Sequence, residues 1–363
     1  MSGNRMSVAK RHLMSWGVGR ALPGRAHGAY EGAATVVVEN PEHLTTLLGS
    51  DLVGPHTVIF CPGAPAGAAT DGQEAGPLLV GYEGSLSEPG GDMSVDDDFF
   101  LQSQDYAVSA YMSVIGATLI RVTEEADFDA FLADADRARD EGEFTPFVTD
   151  PAVQLADVSA LGAGPVGDGP RTRLYVGPDG ELSTSPCGRR LGSLGDDFAS
   201  VVAEWDRVNA GSAHPCAVAL GATVSEDTRE GALAERPWMG RYLAALVAVR
   251  ELRARGLAGI RVSGFGGRLV PASADRADAA DACASELPLL LWTDEAAYVH
   301  SPAAARTFQV SHAAAELVET LLVSGPLDTA AGHADRDRLS QVESFFADAG
   351  VLLCAPELLG AGT

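Results

Sequence analysis

Lysine is almost missing from this chain. Lys10 is the single one, and every other basic residue among the 25 Lys and Arg is arginine. That bias reads as the codon usage of a GC-rich genome. Basic residues of either kind are also scarce beside the 50 Asp and Glu, so the formal charge is −25 at pH 7. A protein that holds nucleic acid needs Lys and Arg against phosphates. The deficit therefore argues against a nucleic-acid partner, and equally against an anionic membrane surface.

Long apolar runs are missing too. No stretch of 18 apolar residues exists, so no transmembrane helix is expected. The N-terminus MSGNRMSVAKRHLMSWGVGRAL starts basic, but Trp16, Gly17, Gly19 and Arg20 break its apolar part. It makes a poor signal peptide, and a cytoplasmic protein is expected. The five cysteines (Cys61, Cys187, Cys216, Cys283 and Cys354) are scattered and form no CxxC pair. Small buried thiols are the reading. The eight histidines form no HxH, HExxH or HxxxH pair, so no metal centre is expected. The Asp96–Asp98 run has no Gly or Glu at calcium-loop spacing, and EGSLSEPGGDMSVDDDF (83–99) reads as a solvated loop.

What remains is a chain of 363 residues that is 46% hydrophobic. That length calls for two or three domains. ATVVV (34–38), HTVIFC (56–61) and PLLVGY (77–82) read as strands, with a short helix over 41–48. Residues 105–120 read as helix into strand or as a buried helix. EEADFDAFLADADRARDEG (124–142) is an amphipathic helix with Phe128, Phe131 and Leu132 on its buried stripe and Gly142 at its stop. These elements make residues 1–160 an α/β region. SALGAGPVGDGP (159–170) is the best linker. A second α/β region (170–272) opens with the hairpin RLYVGPDGELSTSP and contains helices at 198–211 and 238–256. HPCAVALG (214–221) and IRVSGFGGRLVP (260–271) look strand-like there. ASADRADAADACASE (272–286) forms a second linker.

Three motifs raise chemistry. Gly162, Gly164 and Gly167 match GxGxxG, but no strand leads in and a strand rather than a helix follows, so a linker is preferred to a dinucleotide site. SPCGRRLG (185–192) sets Cys187 next to Arg189 and Arg190, which would lower a thiol pKa; a loop after a hairpin is the plainer reading. SGFGGR (263–268) could nest a phosphate but lacks the Lys-Ser/Thr of a P-loop, and a glycine-rich turn is favoured.

The segment 287–363 stands apart. LPLLLWT, AAYVHS and TFQVS read as three strands, 313–324 as a helix and 326–333 as a turn or short helix. Residues 334–350 read as another helix and VLLCAP (351–356) as a final strand. This is the element order of a winged helix-turn-helix. A DNA-reading version needs a basic recognition helix. Here the segment holds ten acidic and three basic residues, a net charge of −7. Peptide capture suits it better: an edge strand over Thr307, Phe308, Gln309 and Val310 pairs with a guest. Leu339, Val342, Phe345 and Phe346 on the last helix would then wall a groove, unless they pack as the segment's own core.

FQVSHAAAELVETLLVSG followed by DRLSQVESFFADAGVL resembles the PqqD-like recognition element of pathways that make ribosomally synthesised, post-translationally modified peptides (RiPPs). RHLMSWGVGR (11–20) and LSTSPCGRRLG (182–192) are similar to the RiPP recognition proteins of actinobacterial daptide pathways. The resemblance implies an α+β, α/β multidomain chain with a C-terminal winged-helix module after two mixed α/β regions. It implies non-catalytic binding of a precursor's leader peptide, with no cofactor. The leader would be presented to a dehydrogenase-type decarboxylase, an aminotransferase and a methyltransferase. Carried onto this chain, the site is Thr307, Phe308, Gln309, Val310, Arg336, Leu339, Val342, Glu343 and Phe346, with Arg336 and Arg338 facing acidic leader side chains. Two other readings stay open. One is an enzyme or activating subunit of the same pathway with its site in 170–270. The other is a winged-helix transcriptional regulator.

Overall fold

The computed structural model describes residues 3–22, 31–64, 76–88, 90–164, 167–273 and 279–354. The chain is mixed α/β and divides into two compact units. Unit one holds residues 1–131 and 152–234; unit two holds 132–151 and 235–363.

Unit one is built on a ten-stranded sheet. Its strands are β1 (Ala33–Val38), β2 (Val53–Pro62), β3 (Leu78–Gly84), β4 (Asp92–Val95), β5 (Phe99–Asp105), β6 (Ala117–Arg121), β7 (Val153–Leu155), β8 (Arg173–Val176), β9 (Glu181–Ser183) and β10 (Gly192–Ser193). The spatial order is β10-β9-β8-β1-β2-β3-β4-β5-β6-β7. β8, β1, β2 and β3 pair parallel, as do β5, β6 and β7. β4 joins the two sets through antiparallel pairs.

The run of β-branched residues in β1 is buried at every position. That pattern belongs to a central parallel strand covered on both faces. Alternate side chains feed two cores. Val36, Val38, Ile59 and Leu174 meet Phe198, Val201 and Trp205. Val37, Phe60, Val80 and Tyr175 meet Ala9, Leu13 and Trp16. The latter three lie on helix α1 (Gly3–Val18), and Trp16 Nε1 donates to the Leu174 carbonyl at 2.9 Å. The segment that makes a poor signal peptide is thus a packed helix. The other helices that begin in unit one are α2 (Leu44–Leu48), α3 (Tyr106–Ser109), α4 (Glu125–Glu141), α5 (Phe198–Ala210) and α6 (Glu226–Ala234).

Several expectations give way here. The boundary expected between 160 and 170 runs through unit one, because β8 returns to pair with β1. Ser159, Ala160 and Leu161 are buried in a π-type turn rather than strung along a linker. The acidic stretch 83–99 is a loop only in part: 92–95 form β4, which pairs antiparallel with β3 and β5, and Asp96 and Asp97 turn the chain at φ 53° and 56°. Residues 217–220 form a 3-10 turn instead of a strand, entered through Cys216 at φ 75°.

Unit two carries helix α7 (Met239–Ala254) and a four-stranded sheet in the order β11 (Arg261–Val262), β12 (Leu289–Trp292), β13 (Ala297–Ser301), β14 (Arg306–Val310). Only two residues of the strand expected over 260–271 pair, because Gly264, Gly266 and Gly267 turn the chain through positive φ. After β14 come α8 (His312–Ser324), α9 (Leu327–Ala330) and α10 (Arg336–Asp348). Ser311 caps α8 through the Ala314 N–H, and Asp335 caps α10 through the Arg338 N–H. β12 and β13 give Leu290, Trp292 and Val299 to a core completed by Val318, Leu321 and Leu339. Residues 351–354 follow α10 without forming the expected strand; the rest of that stretch lies outside the described residues.

Candidate functional site: a groove beside the edge strand

β14 is the outer strand of its sheet. Its inner side pairs antiparallel with β13, from Ser301↔Arg306 to Ala297↔Val310. Among the described residues no strand lies on its other side. Every second residue of an antiparallel edge turns its N–H and C=O outward, where a guest strand can take them.

The side chains of the four expected residues divide by face. The Thr307 hydroxyl is used within the protein: it lies 2.9 Å from His300 Nδ1 and donates to Glu251 Oε2 at 3.0 Å. Burial lowers the pKa of His300, with Glu251 opposing it. Gln309 is exposed. On the opposite face Phe308 packs edge-on against Phe346, with ring centroids 5.5 Å apart, and the Arg306 guanidinium lies 4.9 Å from the Phe308 centroid. Val310, at the end of the strand, opens into a groove.

The groove has a volume of about 400 Å³. Ala313, Ala314 and Leu317 of α8 form one wall; Arg338, Gln341, Val342 and Phe345 of α10 form the other, with Phe346 at the floor. The size suits a few peptide side chains. Phe345 is 58% exposed, a large apolar ring facing water with no cover among the described residues.

Of the nine residues carried over from the resemblance, Val310, Val342 and Phe346 line this groove. Phe308 supports its floor. Leu339 does not line it, being fully buried in the core of the unit. Arg336 pairs with Asp328 at 2.7 Å in solvent, and Glu343 lies outside the lining. Phe345, expected on the groove with Leu339, Val342 and Phe346, does line it, whereas Ala313, Ala314, Leu317 and Gln341 escaped the sequence reading. The 3.6-residue period of α10 carries two neighbouring stripes, 338-342-345 and 339-346. Amphipathicity alone does not say which stripe faces inward.

The other motifs are structural. Cys187 is buried, and its thiol is pushed up by that burial. Arg121, 3.5 Å from the sulfur, opposes the shift without reversing it. Arg189 and Arg190, the neighbours expected to activate it, are both exposed, and Arg190 pairs with Glu181 at 2.8 Å. Burial also raises Cys61 to about 11 and Cys216 to about 12. Cys283 is the one exposed thiol of the five. A thiol reagent added to native protein will therefore titrate Cys283 quickly and the other four only on unfolding, a count read directly by absorbance. Fast reaction of Cys187 in native protein would contradict its burial.

The glycine-rich turn at 263–268 bonds several of its amides within the protein. The Gly264 N–H bonds the Gly267 carbonyl at 2.8 Å and the Gly266 N–H bonds the Arg139 carbonyl at 2.9 Å. Leu269 N–H goes to Glu319 Oε1 at 2.9 Å. A Cβ on Gly266 would fall 2.3 Å from the Gly142 nitrogen, so packing explains the glycine.

No group of His, Cys, Asp and Glu among the described residues has the arrangement of a metal centre, and none of the described helices is long and apolar enough to cross a membrane. No family model, curated protein or solved structure matches this chain.

Proposed function

We propose that this protein recognises the leader segment of a ribosomally made precursor peptide and presents it to the enzymes that modify it. The observation that carries the reading is the edge of β14, unpaired among the described residues, running into an apolar groove walled by α8 and α10. An extended peptide that adds to β14 gains main-chain hydrogen bonds, while every second side chain drops toward the groove. The order of three antiparallel strands followed by three helices supports a winged-helix reading of the module. The acidity of the segment supports peptide over DNA as its ligand.

The test is fluorescence polarisation with labelled peptides that tile the short open reading frames beside the gene. Saturable binding to one N-terminal tile is expected. Ala313 is exposed on the groove wall, so Ala313→Arg fills the groove without entering the core. It should weaken binding at least about tenfold at unchanged thermal stability. No binding to any tile, with tight sequence-specific binding to duplex DNA at physiological salt, would overturn the reading.

A further inference from the structure

We propose that unit one carries a self-association surface, an apolar finger over residues 108–115 through which two copies of this chain pair about a twofold axis. The inference is independent of the peptide-recognition reading and concerns unit one alone.

A contiguous exposed apolar patch marks a contact site more often than an isolated exposed side chain does. Tyr111 is 90% exposed and Ile115 78%, with Val108 and Met112 each about half exposed. The four recur at positions i, i+3, i+4 and i+7. Helix α3 runs on into a turn in which the Tyr111 N–H bonds the Val108 carbonyl at 2.9 Å and the Met112 N–H bonds the Ser109 carbonyl at 3.2 Å. That turn sets Val108, Tyr111 and Met112 side by side, and Ile115 follows on the same exposed segment.

The finger is held from behind. Tyr106 is buried and meets the Phe131 ring edge-on, with centroids 5.7 Å apart. Asp127 Oδ1 accepts from the Ala107 N–H at 2.8 Å, and the Ser109 hydroxyl donates to the Asp105 carbonyl at 2.6 Å. The buried Gln104 donates through Nε2 to the Ser113 carbonyl at 3.2 Å. These ties keep the exposed side chains in place before a partner arrives, so less conformational entropy opposes docking.

Two observations make a second copy the occupant. The first is charge. Tyr106 to Ile120 contain no Asp, Glu, Lys or Arg, in a chain of net charge −25. About a twofold axis each residue near the axis meets its own copy, so a charge there would face its like. A different partner imposes no such condition, because it can set opposite charge against charge. The second is area. A large side chain presents about 150–250 Å², so the four exposed ones offer roughly 500 Å² per copy. With Ala110 and Ser113, which are also exposed, two copies would bury about 1,000–1,200 Å², the lower end for a specific interface. That size suits a reversible dimer with a dissociation constant on the order of 1–100 μM.

Sedimentation velocity on the full-length protein tests the proposal. Raising the concentration from about 1 to about 200 μM should carry the wild type from monomer to dimer. Added salt should tighten the dimer, because it screens the repulsion between two acidic bodies. Tyr111→Asp sets two carboxylates together at the contact and should weaken the dimer at least about hundredfold. Its side chain stands in water, so the melting temperature should stay unchanged. Ile115→Asp, at a second exposed position, should act in the same way. A wild type that stays monomeric throughout overturns the proposal and leaves the surface to a different protein. A dimer that survives both substitutions, or one that salt dissociates, overturns it equally.

Discussion

Arg173→Met will destabilise unit one by about 3–5 kcal/mol near neutral pH, and the loss will shrink as the pH falls. Arg173 is only 1% exposed, yet its guanidinium makes four hydrogen bonds. It donates to Asp157 Oδ1 at 2.6 Å, to both oxygens of Asp168 at 2.8 and 2.9 Å, and to the Trp16 carbonyl at 2.9 Å. Methionine fills similar space but strands two buried carboxylates and a carbonyl. Removing one partner of such a network costs far more than the intact network contributes over an apolar substitute. The pH dependence follows from Asp157. Burial raises its pKa, and Arg173 is the largest opposing influence. Without the arginine the folded-state pKa rises further above the unfolded value. The folded variant then binds more protons than the unfolded chain between those two values, so its stability falls as pH rises. Urea unfolding of variant and wild type at pH 7 and at roughly pH 5 measures this directly. A stability gap equal at both pH values would show that the carboxylates are solvated and not trapped.

That cluster was invisible in the sequence, and the reason is instructive. Asp168 comes from the stretch that reads as a linker and Arg173 opens the hairpin after it, while Asp157 precedes both. Glycine and proline density suggested a linker there. The glycines instead serve φ: Gly162, Gly164, Gly167 and Gly169 all lie at positive φ, and a Cβ on Gly167 would fall 2.9 Å from the Ala21 nitrogen. Composition cannot tell a glycine that loosens a chain from one that lets it turn inside a core. The central strands were legible, because β-branched runs such as ATVVV have few other uses. So were α4, α7 and the hairpin of β8 and β9, whose periods and turn residues are local signals. The return of β8 to β1 crosses more than a hundred residues and leaves no local trace. Helix α1 was legible in principle, since Ala9, Leu13 and Trp16 repeat at helical spacing and are all buried. Its Gly17 looked like a break but is a contact, with a Cβ there falling 2.8 Å from Leu119. At the candidate site the edge strand was read correctly as an element, and the face of α10 only in part.

Phe346→Ala and Phe345→Ala will separate stability from binding, although the two residues are adjacent. Phe346 is 1% exposed and stacks edge-on with Phe308 at 5.5 Å. It belongs to the core that holds α10 against the sheet, beside Leu339 and Val318. Truncating a buried phenylalanine removes its transfer free energy and leaves a cavity, a loss of about 3–5 kcal/mol. Phe346→Ala will therefore lower the unfolding midpoint of unit two sharply, and any loss of peptide affinity will follow from that. Phe345 is 58% exposed and leans edge-on against Phe346 at 5.3 Å. Its removal should change stability by no more than about 0.5 kcal/mol, as at other surface sites. If the groove takes a peptide, the same change should cost about 1–3 kcal/mol of binding, the range of a truncated interface anchor. Calorimetry and peptide titration on both variants give four numbers. Large stability loss confined to Phe346 and large affinity loss at stable Phe345→Ala place the ligand on the outer stripe of α10. Equal, small effects of Phe345→Ala on both quantities would leave its exposed ring without a role in recognition, and would move the binding surface away from this groove.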